Sequence, residues 1–252
     1  MDLGIKGKRA LVLGGSSGLG LECCRAFAAE GVDLVIFARG QDRMAEARKA
    51  VTSAYDVAVD LVAGDVTVRS DVTNLVDYLR DSGGIDILVL NTPPPPRPML
   101  DFLQETEDDR WENAYKGQLE GALYILRDVT PLMLDRGWGR IVGITSSSVK
   151  QPMARHALST VFRAGVQAAL KHLVDEVGPH GITVNAVAPA SVVSDTYHLY
   201  HNVQGRIDAA PLKRVGKPEE LAGTVVFLAS QQAGFITGQS LQVDGGISKS
   251  FV

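Results

Sequence analysis

Three glycines in LGGSSGLG, Gly14, Gly18 and Gly20, follow an apolar run at Arg9–Leu13 and precede a stretch of helical period at Leu19–Glu30. Glycine at such a junction permits a tight turn and lets bare backbone N–H groups approach a phosphate, while the helix N-terminus behind it favours negative charge. A second apolar run begins about twenty residues on, and this context points to a site for the pyrophosphate of a dinucleotide. At the end of that second run, a site built for NAD would offer an acidic side chain to the adenosine ribose. Ala38 and Arg39 stand there instead. A small neutral residue leaves room for a 2′-phosphate and a guanidinium can bind it with a charge-assisted fork, so NADP(H) is expected ahead of NAD(H). A solvated surface arginine is the other reading of Arg39.

The elements that must hold this loop alternate along the chain. Strand-length apolar runs recur at Arg9–Leu13, Leu34–Phe37, Val57–Val62, Ile85–Leu90, Arg140–Ile144, Ile182–Ala188 and Ser240–Val243. Between them lie amphipathic stretches at Leu19–Glu30, Met44–Tyr55, Val68–Ser82, Asp109–Arg136, Ser159–Val177 and Pro218–Ala229. That alternation predicts an α/β fold, a doubly wound parallel sheet of seven strands with helices on both faces. The 252 residues are expected to form one domain, 1–252. Pro93–Pro96 and Pro98 follow the fourth strand and predict a stiff extended loop at the edge where such sheets bind ligands; a rigid surface turn is the plainer alternative.

Charge and cysteine use exclude several roles. Lys and Arg number 25 against 29 Asp and Glu, a formal −4, which gives no basic field for nucleic acid or anionic lipid. No apolar run approaches the ~18 residues of a membrane span, and the first residues lack the pattern of a signal peptide, so a cytoplasmic location is expected. Cys23 and Cys24 are adjacent on a helical stretch, where neighbouring side chains diverge; buried, inert thiols are expected, and no metal site.

Further segments extend the pattern: Asp65-Val66 after the third strand, GRIVGITSS at 139–147, GITVNAVAPA at 181–190, and PLKRVGKPEELAGTVVFLASQQAGFITGQSLQVDGG at 211–246. Together with LGGSSGLG they resemble the short-chain dehydrogenase/reductase family over essentially the whole chain, in its 3-oxoacyl-thioester-reductase-like form. The resemblance implies a single-domain Rossmann fold. It also implies that Gly14, Ser16, Ser17, Gly18, Leu19 and Gly20 hold the pyrophosphate, Asp65 and Val66 contact adenine, and Asn91 lines the loop after the fourth strand. Pro189, Val192 and Ser194 match the segment that anchors the nicotinamide carboxamide, and 191–213 matches the substrate lid.

The catalytic positions depart from the family. Its members carry Ser, then Tyr thirteen residues later, then Lys four beyond the Tyr. Alignment on GRIVGITSS places the serine at Ser146, but the next two positions hold Ser159 and Arg163, so YxxxK has become SxxxR. The usual helix Asn falls at Gln118, the usual NNAG reads LNTP, and Leu13 replaces the usual Thr. A serine hydroxyl is shorter than a phenol and far less acidic, so it cannot donate the proton comparably. Arg163 keeps a positive charge near the expected ribose without titrating. Ser146 can still hydrogen-bond a carbonyl oxygen, with Ser147 and Ser148 as neighbours that could serve. His156, three residues before Ser159, is a candidate substitute acid or else a partly exposed histidine before the helix. Tyr197, His198, Tyr200 and His201 in the lid are further candidates, or one face of a packing helix. The space vacated by the phenol could instead hold part of the substrate, with Arg163 binding a carboxylate or phosphate.

Three functional readings follow. One is an NADP(H)-dependent oxidoreductase reducing a ketone, aldehyde or 3-oxoacyl-type carbonyl through a non-standard site. Another is a non-redox protein that binds NADP(H) in a regulatory or scaffold role, and a third a lyase or isomerase. The resemblance also implies a homotetramer or homodimer, built on the stretches 109–136 and 159–177.

Overall fold

The structure is a computed structural model that describes residues 2–193 and 203–250. Its strands are β1 (Arg9–Leu13), β2 (Asp33–Ala38), β3 (Val59–Ala63), β4 (Ile87–Asn91), β5 (Gly139–Ile144), β6 (Ile182–Pro189) and β7 (Ser240–Val243). They form one parallel sheet in the order β3-β2-β1-β4-β5-β6-β7. The α-helices are α1 (Gly18–Ala29), α2 (Gln41–Thr52), α3 (Arg69–Asp81), α4 (Asp108–Ala114), α5 (Gly121–Val129), α6 (Ala157–Val177), α7 (Val203–Ala209) and α8 (Pro218–Leu228).

Burial on both faces explains why the central strands read as continuous apolar runs rather than alternating ones. Successive side chains of β1 point to opposite faces: Ala10 and Val12 join the core beneath α1, α2 and α8, while Leu11 and Leu13 join the core beneath α3, α5 and α6. Cys23 and Cys24 lie in the first of these cores, buried and free. Burial pushes the Cys23 thiol up to about 12, so it is inert at neutral pH.

The expected single helix over Asp109–Arg136 is corrected by the structure. Helix α4 ends at Ala114, a π-helical turn runs over Tyr115–Glu120, α5 covers Gly121–Val129, and a 3₁₀ segment completes Thr130–Arg136. The backbone must pass close to its neighbours here. A Cβ at Gly121 would lie 2.9 Å from Val66 Cγ2 and 3.0 Å from the Val66 carbonyl oxygen. Pro131, lacking an N–H, then opens the tighter last segment. Apolar periodicity runs on through all four pieces, which is why the sequence reads as one helix.

The strand order switches between β1 and β4. Loops after those strands part in opposite directions and leave a crevice at the carboxyl edge of the sheet, where open α/β folds place their ligands.

Candidate active site

The glycine loop enters this crevice directly from β1. Gly14 and Gly18 have φ of 65° and 53°, a region that side chains resist. A Cβ at Gly20 would lie 2.3 Å from the Gly14 carbonyl oxygen and 3.1 Å from Asn91 Nδ2, so only glycine lets the first turn of α1 close onto the loop. Asn91, at the end of β4, thereby meets the loop as its sequence position suggests. Ser17 is extended and makes no side-chain cap, which leaves the first N–H groups of α1 without a side-chain partner. Ser16 and Leu19 are partly covered, and Ser17 and Gly18 exposed.

At the end of β2, Ala38 leaves the turn open and Arg39 extends into solvent, 72% exposed, with Nη1 3.5 Å from Asp65 Oδ2. Asp65 is fixed from its other oxygen, which accepts from the backbone N and the hydroxyl of Thr67, both at 2.9 Å. Val66 packs against Gly121. A second guanidinium lies at the same turn: Arg43 Nε is 3.4 Å from where a Gly40 Cβ would stand. The sequence reading passed over Arg43, although its i, i+4 spacing from Arg39 in ARGQDR was the available signal.

The opposite wall is built from β5, β6 and α6. Ser146 follows β5 and is 8% exposed; its Oγ accepts from the Ser148 backbone N at 3.2 Å and lies 2.9 Å from Ser148 Oγ. Ser147 turns away and donates to the Ala188 carbonyl at 2.7 Å. Arg163, on α6, donates from Nη1 to the carbonyl of Thr145 at 2.8 Å, which seats it directly behind Ser146. Its Nε is sealed from solvent without a partner. Burial lowers this guanidinium to about 10, so it is still charged at neutral pH.

Gln118 lies in the π-helical turn, fully buried, with neither amide atom hydrogen-bonded. That turn is wedged between the loop after β4 and α6. A Cβ at Gly117 would stand 3.8 Å from Pro93 Cβ, and one at Gly165 would stand 3.0 Å from Leu119 Cδ1. Thr92 Oγ1, at the start of the same loop, is likewise buried and unpartnered. Thr92, Gln118 and Arg163 each carry an orphaned polar atom, as buried groups do where a ligand or bound water completes them.

Ser159 is 4% exposed on the first turn of α6, one turn before Arg163. The proline run closes over it: Pro95, Pro96 and Met99 face His156 and Ser159 across a slit of about 150 Å³, too narrow to admit a water molecule. Little room is thus left beside Ser159 on the side that faces the prolines. His156 caps α6, its Nδ1 2.7 Å from the Ala154 carbonyl and its Nε2 3.4 Å from Arg206 Nη2. Burial, reinforced by Arg206, Arg163 and Arg155, holds the imidazole below its ordinary value. It is accordingly neutral at neutral pH, with Nδ1–H donated to Ala154, and carries no proton on Nε2 to give away.

Pro189 ends β6, and Val192 forms a short parallel bridge with Gly216. Ser194, Tyr197, His198, Tyr200 and His201 lie outside the described residues.

Comparison with known proteins agrees with this geometry. A family model described as enoyl-(acyl carrier protein) reductase matches residues 14–248. The chain is 33% identical over 245 residues to a 3-oxoacyl-(acyl-carrier-protein) reductase, FabG, of Staphylococcus epidermidis, covering 95% of this chain and 98% of that one. It is 29% identical over 249 residues to a short-chain type dehydrogenase/reductase of Picea abies, covering 95% and 92%. Among solved structures, L-sorbose reductase of Gluconobacter frateurii, complexed with NADPH and L-sorbose, superposes with a TM-score of 0.91 at 33% identity, covering 99% of this chain and 100% of that one.

Proposed function

The chain belongs to the short-chain dehydrogenase/reductase family, and from that premise we propose that it is an NADP(H)-dependent oxidoreductase that reduces a carbonyl compound through a non-standard active site. The observation that carries this reading is the bare glycine cradle: Gly14 and Gly18 adopt a backbone that side chains resist and Gly20 has no room for a Cβ, at an uncapped helix N-terminus on the carboxyl edge of the sheet. A pyrophosphate fits that cradle, and the sealed, unpartnered Nε of Arg163 fits a ribose oxygen. Arg39 and Arg43 would hold the 2′-phosphate, Asp65 and Val66 the adenine, Asn91 and Arg163 the nicotinamide side, and Pro189, Val192 and Ser194 the carboxamide. When bound, the cofactor supplies the hydride.

The chain's own residues do the rest. Ser146 Oγ accepts from the Ser148 backbone and, with Ser148 Oγ as the donor of their mutual bond, keeps its own hydrogen for the substrate oxygen as charge develops there. Arg163 stays charged behind Ser146 and stabilises the same developing charge. His156, held neutral, and Ser159, under the proline run, do not supply the proton in this reading. It comes from water held at the orphaned atoms of Gln118 and Thr92. Replacing Ser146 with Ala should lower NADPH oxidation about 10²-fold or more with NADPH affinity unchanged; an unaltered rate would remove Ser146 from the mechanism.

A second reading, NADP(H) binding without redox chemistry, is favoured by the same lack of a side chain that titrates near neutrality at Ser159. It predicts tight NADPH binding with no NADPH oxidation across a panel of carbonyl compounds. The exposed apolar side chains of Tyr115, Leu123 and Val161 on the α4–α6 side support assembly as a homodimer or homotetramer, to be measured by light scattering after size-exclusion chromatography. The segment 191–213 is read as the substrate lid and the location as cytoplasmic, which cell fractionation tests.

A further inference from the structure

Three guanidiniums, those of Arg155, Arg163 and Arg206, act on His156. Arg206, on α7, directs Nη2 to His156 Nε2 at 3.4 Å and Nη1 to Met153 Sδ at 3.5 Å. Those are an imidazole and a thioether, weak partners for a cation with five donors. Arg163 donates to the Thr145 backbone carbonyl, and Arg155 is exposed beside His156. None of the three forms an ion pair among the described residues. The carboxylates nearby are engaged elsewhere. Glu105 accepts from Arg110 Nε at 2.7 Å and Nη2 at 3.0 Å, and Asp101 Oδ1 accepts the Arg155 backbone N at 2.6 Å.

Like charges brought together in partly buried surroundings repel, a repulsion that an anion would relieve. Among the described residues no carboxylate pairs with Arg155, Arg163 or Arg206, and the histidine at the centre presents an acceptor nitrogen to Arg206. His156 lies three residues before Ser159 and about two helical turns before Arg163, which itself backs Ser146. An anion held beside Arg163 would lie near Ser146, whose neighbour Thr145 accepts from that guanidinium.

We propose that Arg206, with Arg155 and Arg163 around His156, forms an oxyanion-binding subsite, so that the carbonyl compound carries a carboxylate or a phosphate. The proposal rests on the reading that a carbonyl substrate binds beside Ser146, and it names the class of that substrate. Guanidinium forks suit both groups, through paired N–H···O bonds.

Titration calorimetry of the NADP⁺-loaded protein tests it, with two matched pairs of probes: 3-oxobutanoate against its methyl ester, and dihydroxyacetone phosphate against dihydroxyacetone. The charged member of at least one pair should bind about tenfold or more tightly than its neutral partner, and which pair shows the gap identifies carboxylate or phosphate. In R206Q the gap should collapse while NADP⁺ affinity stays at the wild-type value, and R206K, which keeps the charge, should retain most of it. Equal binding of charged and neutral members in both pairs overturns the proposal, as does a gap that survives R206Q. Failure of NADP⁺ to bind overturns the oxidoreductase reading instead; the same pairs, followed by thermal shift of the cofactor-free protein, then still decide whether the subsite exists.

Discussion

Removing the two guanidiniums at the end of β2 should convert an NADPH-preferring site into an indifferent one. Arg39 is 72% exposed and touches Asp65 only at 3.5 Å, a pair worth less than about 1 kcal/mol at the surface, so little is lost when it turns to a phosphate. A charge-assisted hydrogen bond to a 2′-phosphate at this exposure contributes about 1.5 kcal/mol, near the lower end for charged partners. R39A should therefore weaken NADPH binding about tenfold. Arg43 flanks the same turn at Gly40, and R39A/R43A should reach about 3 kcal/mol, roughly 150-fold. NADH, which lacks the phosphate, should bind both variants as it binds the wild type. The assay is titration calorimetry of cofactor-free protein with each nucleotide at low salt and at about 1 M salt, where a Debye length near 3 Å should shrink the NADPH advantage. Equal affinity of the wild type for both nucleotides would refute the reasoning, and so would an NADPH preference that survives the double substitution.

Restoring a phenol at position 159 should not be benign, because Pro95, Pro96 and Met99 leave only a slit beside Ser159. S159Y should lose about 2 kcal/mol and melt roughly 5 °C lower, measured by calorimetry; an unchanged Tm would mean the proline run yields easily. His156 adds a pH dependence. Its folded value lies below the ordinary 6.5, so below about 6.5 the unfolded chain takes the proton first and stability falls with pH. Relative to the wild type, H156Q should lose less Tm between pH 7.5 and pH 5, and parallel curves would count against the neutral imidazole described here.

The sheet and the glycine loop were legible because each rests on local signals. Buried parallel strands need unbroken apolar runs, and a phosphate cradle needs glycines between a strand and a helix. The break across Asp109–Arg136 was hidden, since the tight passage of Gly121 past Val66 is a contact between residues far apart in the chain and leaves the apolar period intact. The environment of His156 was hidden for a similar reason. Spacing alone sets it near Ser159 and Arg163, but burial keeps it neutral and Arg206 reaches it from α7, 50 residues on. The proline run predicts a stiff loop at the ligand-binding edge; that it borders Ser159 depends on how β4 and α6 pack. Arg43 was within reach of the sequence by its spacing from Arg39.

The central claim is that this site passes hydride despite lacking the family's phenol and lysine. The most direct measurement uses NADPH deuterated at both C4 positions, with a carbonyl compound that the protein consumes or, failing consumption, with each member of the probe pairs at high enzyme concentration. Mass spectrometry of the alcohol should show one deuterium at the carbinol carbon, with the signal falling about a hundredfold in S146A. Tight binding of the labelled NADPH with no deuterium in any product would contradict the account and leave the chain a nucleotide-binding member of its family without redox chemistry.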